Sequence, residues 1–126
     1  MASPELINGV TSVNVIIRSI DLTTSSSNPE FVSAAPNSPI GTISKVVNLT
    51  VTNTSTTSSA GFTLRVLSNL SQTKGDIINI PSLGPLESLC LFDKSKPLYL
   101  VDGYTIRGFA TANNTINTYC ALEFYT

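Results

Sequence analysis

The sequence predicts an all-β fold: an antiparallel β-sandwich, jelly-roll-like, with seven to eight short strands and almost no helix. Three observations carry that prediction. Apolar and polar residues alternate, as in ISKVVNLTVTN, and nowhere do apolar residues keep a helical period for more than a turn. β-branched residues dominate the apolar set. Turn residues recur roughly every eight to twelve positions, the spacing of a sandwich rather than of a parallel sheet.

The elements follow in order. VNVIIRSIDL (13–22) is β-branched, but Arg18 interrupts its apolar run, which suits a peripheral strand. Residues 23–42, rich in Pro and Ser, read as an irregular connection with at most a short strand around Phe31 and Val32. From Ile43 the alternation places Val47, Leu49 and Val51 on a dry face and Asn48, Thr50 and Thr52 on a wet one. After the polar loop 54–61, FTLRVLSNL turns Phe62, Leu64 and Val66 inward and is expected to pair with the preceding strand as a hairpin. DIINIPSL and GPLESLCLF give a further strand, turn and strand, with Pro81, Gly84 and Pro85 where a central strand would not accept them. KPLYLVDGYTIRGFAT (96–111) reads as a hairpin turning at Asp102 and Gly103, and Gly108 within its second strand implies a bulge or close packing. INTYCALEFY closes the chain with Thr118, Cys120, Leu122 and Phe124 on one side and Tyr119, Ala121, Glu123 and Tyr125 on the other.

At 126 residues the chain fits one domain, 1–126, with 1–12 as an N-terminal arm. Only 12% of residues are charged, and Ser, Thr and Asn supply about a third, so solubility rests on hydroxyls and amides. Net charge is −1 and the seven Lys and Arg are scattered, which argues against nucleic acid as a partner. The start MASPELINGV has neither the cationic nor the apolar part of a secretion signal, and no stretch reaches the ~20 apolar residues of a membrane span. The expectation is a protein made soluble in the cytoplasm, with no membrane partner. Cys90 and Cys120 fall inside strands, where buried free thiols are the ordinary case.

Chemistry is sparse. Without histidine, Ser-His and Cys-His nucleophile pairs are excluded, as are most zinc sites. The eight carboxylates lie mostly at turns or strand ends, a poor arrangement for a glycosidase pair. Asp93 and Asp102 could be calcium ligands, but Asp at a turn ordinarily caps its own backbone, and no calcium-loop spacing is present. Gly84 and Gly103 lack the spacing of a phosphate loop. Asn48, Asn53, Asn69 and Asn113 head N-x-S/T triplets that chance explains in so Asn-, Ser- and Thr-rich a chain. No enzyme, cofactor or metal is expected.

Several stretches together resemble a group of small β-sandwich virion structural proteins of tailed bacteriophages, notably those infecting marine cyanobacteria. The stretches are MASPELINGVTSVN, KVVNLTVTNTSTTSSAGFTLRV, and PSLGPLESLCLFDKSKPLYLVDGYTIRGFATANN through CALEFYT. Within the last, Pro97 to Leu100, Asp102, Gly103 and Ile106 to Gly108 carry a P-L-Y-L, acidic, Gly, I-R-G arrangement. Residues 15–42 are longer and richer in proline than that pattern. The resemblance implies a non-enzymatic component of the virion, a head decoration (cement) protein or a neck or tail accessory, partnered by other virion proteins and copies of itself. A carbohydrate- or receptor-binding module of a phage fibre or adhesin is the alternative, since polar loops on a sandwich are a usual place for sugar contacts. The residues expected at an interface are Leu6, Ile7, Val10, Ile16 and Ile20 on the leading arm and strand, and Tyr99, Tyr104 and Tyr125 at an aromatic end.

Overall fold

In a computed structural model that describes residues 13–27, 29–33, 43–67, 73–101 and 104–125, the described residues form nine strands and no helix. The strands are β1 (Val13–Asp21), β2 (Glu30–Phe31), β3 (Ile43–Asn53), β4 (Ala60–Leu67), β5 (Thr73–Leu83), β6 (Ser88–Phe92), β7 (Leu98–Val101), β8 (Thr105–Ala110) and β9 (Ile116–Tyr125). β1, β9, β3 and β6 lie side by side in sheet A, and β7 shares with β6 the far flank of β3. Sheet B has the order β2, β8, β4, β5.

All these pairings are antiparallel and nested: β1 with β9, β2 with β8, β3 with β6 and β7, β4 with β5. It is as if one long hairpin had been rolled up until β9 also met β3 and β8 also met β4. Two sheets joined in this way form a jelly roll. β6 and β7 behave as one interrupted strand, covering Leu49–Thr52 and Ile43–Val46 of β3. The interruption is a turn in which Asp93 Oδ1 accepts from the Ser95 and Lys96 N–H groups at 2.9 and 3.0 Å and from the Ser95 hydroxyl at 2.6 Å.

The interior takes Val46, Leu49, Val51, Cys120 and Leu122 from sheet A and Phe62, Leu64, Ile106 and Ala110 from sheet B, with Leu22, Val32 and Ile116 closing the ends. Each fully buried Leu, Ile or Val contributes about 1.5–3 kcal/mol relative to exposure. Gly108 lies where β8 and β4 approach: a Cβ there would sit 2.6 Å from Leu64 Cδ2 and 3.2 Å from the Thr63 carbonyl oxygen. Close packing, expected from sequence, is the reason for glycine.

Two expected hairpins are instead crossings between sheets. In residues 96–111, β7 pairs with β3 in sheet A while β8 pairs with β4 and β2 in sheet B. β3 and β4 likewise belong to different sheets. Two apolar-faced runs joined by a turn can share a ladder or face each other across the core, and local pattern is the same for both. The expected turn residues Asp102 and Gly103 lie outside the described residues. One strand phase also shifts. A β-bulge between Val46 and Asn48 leaves Val47 half-buried and brings Val46 into the core ahead of Leu49 and Val51. β5 runs through Pro81, which an edge strand tolerates because its outer N–H has no ladder partner.

Candidate interaction face

A sheet edge can bind in its own right, because its outward N–H and C=O groups lack partners. β1 is such an edge. It pairs with β9 along its length, from Val13 opposite Tyr125 to Asp21 opposite Asn117, and with no other strand among the described residues. Just past its end, Leu22 donates its N–H to the Ile116 carbonyl at 2.8 Å, which sets the phase of the ladder. Even-numbered residues of β1 therefore bond to β9, and Val15, Ile17 and Ser19 direct their backbone groups to the open side.

The same odd-numbered residues carry their side chains on the outer face, where Val15 is 67% and Ile17 59% exposed. Across the ladder Ile17 faces Ala121, and Tyr119, 40% exposed, stands opposite Ser19 and Thr50. Val15, Ile17, Ala121 and Tyr119 thus make an apolar strip beside the edge. Further along, polar side chains satisfy one another. Asn117 Nδ2 donates to Asp21 Oδ1 at 3.0 Å, the Ser19 hydroxyl to Asn117 Oδ1 at 3.3 Å, and the Thr50 hydroxyl to Asn48 Oδ1 at 2.9 Å, while the Thr52 and Ser88 hydroxyls are 2.8 Å apart.

The even-numbered residues of β1 turn inward, the half-buried Ile16 and Ile20 among them. Ile16 packs against the core and Ile20 lies opposite buried Thr118, while Arg18 between them donates Nε to the Phe31 carbonyl at 3.0 Å, joining the edges of the two sheets. Tyr104 is half-buried and packs against the core. Tyr99 is 48% exposed, at the opposite flank of sheet A, across from Lys45. Leu6, Ile7 and Val10 lie outside the described residues, as does the side chain of Tyr125. Val15, Ile17 and Tyr119 were not anticipated. One signal could have found the first two: Leu22 is in phase with Ile16 and Ile20, so a buried Leu22 turns Val15 and Ile17 outward.

The cysteines divide between the two surfaces of sheet A. Cys120 is buried, and burial pushes its thiol from 9.0 up to about 12. Cys90 corrects the expectation of two buried thiols: it is exposed on the outer face, opposite Thr50. Both thiols are free. Asp93 is the turn residue that was expected, its carboxyl held below the ordinary 3.8 first by the Ser95 hydroxyl and then by the Lys96 and Ser95 N–H groups. Asn53 is fully buried with its amide bonded to the Ser58 and Leu83 carbonyls, so its N-x-S/T triplet is no acceptor for a glycan in the folded chain. Among the described residues no three His, Cys, Asp or Glu side chains come together as metal ligands. Nor is any helix among them long and apolar enough to cross a membrane. No protein-family model matches the chain, and no curated protein matches it.

Proposed function

We propose that this chain is a non-enzymatic structural component of a tailed-phage virion, a head decoration or a neck or tail accessory protein, that works by packing against copies of itself. The observation that carries this reading is the open β1 edge with Val15 and Ile17 beside it. The jelly roll agrees with it, as a fold common in viral capsid proteins, though one also used by lectins.

The occupant of the edge is a second copy, paired antiparallel across a two-fold axis at Ile17. That register uses the whole strand, sets Ile17 against its own copy and Val15 against Ser19, and places Arg18 opposite Ile16 of the other copy. Centring the axis at Arg18 instead would oppose two like charges. With a net charge of −1, copies accumulate little repulsion. A single strand pair buries less than the ~1,200 Å² of a stable interface, so the contact is weak in solution and gains strength where many neighbours repeat it.

A sugar-binding role has less support. Tyr99 and Tyr119 sit opposite Lys45 and Thr50 of β3, about 15 Å apart along the strand, so they make no joint stacking platform. The test is to locate the protein in an image of the purified particle. Regular density for the jelly roll on head, neck or tail supports the proposal. Its absence from the particle, or glycan binding that Tyr99→Ala abolishes, overturns it.

A further inference from the structure

The outer face of sheet B carries a second feature, joined to β1 where Arg18 bonds the Phe31 carbonyl. One row crosses all four strands: Phe31 on β2 is opposite Arg107 on β8, Arg107 opposite Arg65 on β4, and Arg65 opposite Asp76 on β5. Two cations directly opposite each other repel, and strand pairs ordinarily avoid this. Here each guanidinium rests on an aromatic ring. The Arg107 guanidinium carbon is 3.8 Å from the centre of Phe31, and that of Arg65 is 4.8 Å from the centre of Phe109. Stacking holds both planar groups in place.

Their charge is only half balanced. Asp76 Oδ1 is 3.2 Å from Arg65 Nε but out of line with its N–H, so the pair is ionic without a hydrogen bond. Arg107 has no hydrogen bond or ion pair among the described residues, and the Nε atoms of both arginines are buried without a hydrogen-bond partner. Buried, charged donors of this kind are uncommon in folded proteins.

From this geometry we infer a carboxylate-binding site at the Arg65–Arg107 pair. The row holds two positive charges and one negative, so one further carboxylate neutralises it, whereas a phosphate dianion overshoots. Planar guanidinium forks already held by rings suit a planar oxyanion, and little side-chain freedom is lost on binding. Arg107 is the main anchor. Asp76, sharing the row, opposes a second anion and sets the affinity low.

The test is an NMR titration of the intact chain with sodium acetate against sodium chloride at equal ionic strength, following the Arg side-chain N–H and Phe31 and Phe109 ring signals. Saturable shifts with acetate and none with chloride are expected. Arg107→Gln weakens binding about tenfold, the loss of one charge-assisted contact, and Arg107→Lys weakens it less. Asp76→Asn tightens it, a result that stands even where an Arg107 variant folds poorly. An acetylated tetrapeptide with one Asp separates the sources: tighter binding than acetate assigns the site to another protein's side chain, equal binding to a free carboxylate. Identical responses to chloride and acetate, unchanged binding in Arg107→Gln, or saturation by inorganic phosphate but not acetate overturns the inference.

Discussion

The two outer faces of this sandwich are built on the same antiparallel geometry and offer opposite chemistry. Sheet A presents hydroxyls, amides and the Asp21 carboxylate bonded to one another, and beside them a backbone edge with Val15 and Ile17 that is open among the described residues. Sheet B presents a row of guanidiniums stacked on rings, with one carboxylate at its end. The first face can bind through its main chain, the second through side chains. Composition does not separate them. What does is register, which sets two of seven scattered cations directly opposite each other on one face and, on the other, sets Lys45 opposite Glu123.

Both faces rest on one interior, and loosening it has the largest effect. Asn53 ends β3, and its Nδ2 donates to the Ser58 carbonyl and to the Leu83 carbonyl of β5, both at 2.9 Å, while its Oδ1 accepts from the Ser55 N–H. Asn53→Ala leaves the buried Leu83 carbonyl without this donor and is expected to cost about 1–3 kcal/mol in urea unfolding, more than any outward substitution. Next comes Ile17→Lys. Its monomer stability should stay within about 0.5 kcal/mol of the parent. Self-association, followed by sedimentation equilibrium, should disappear, because two ammonium groups meet on the proposed axis. The same substitution should leave acetate binding at Arg65 and Arg107 unchanged, which tests whether the faces are independent.

The thiols sharpen the contrast between outside and inside. Cys90 should react with a thiol reagent in the native protein and Cys120 only on unfolding. The sign of the pH effect follows from burial. The folded state holds the Cys120 proton up to about 12, while an unfolded chain releases it near 9.0. Stability from this group is complete below pH 9, declines as pH rises through that window, and the decline is absent in Cys120→Ala. The smallest effect belongs to Asp93, whose lowered pKa makes its contribution present above the ordinary 3.8 and lost as pH falls below it. Asp93→Asn should flatten that acid limb slightly without touching either face.

The fold class was legible because alternation and turn spacing are local properties, and they placed Leu49, Val51, Leu64, Cys120 and Leu122 inside. Arg18 marked β1 as peripheral, and the structure puts it at an edge. Ladder partners were not legible. A turn between two apolar-faced runs makes β7 and β8 look like a hairpin, and only the interior they share shows that they face each other across it. The phase of β1 was hard to read too, because Val15, Ile16 and Ile17 are apolar in succession and alternation is lost there. The arginine row was invisible for a further reason: Arg65 and Arg107 meet through a register 42 positions long.

The central claim, that the open side of β1 is the surface by which copies meet, is tested most directly by hydrogen exchange at single β1 amides in dilute and concentrated protein. In the dilute monomer Ile16, Arg18 and Ile20 should exchange slowly and Val15, Ile17 and Ser19 fast. On concentration the odd-numbered amides should become protected, and in Ile17→Lys they should not. Odd-numbered amides that stay fast in an assembled sample would contradict the claim.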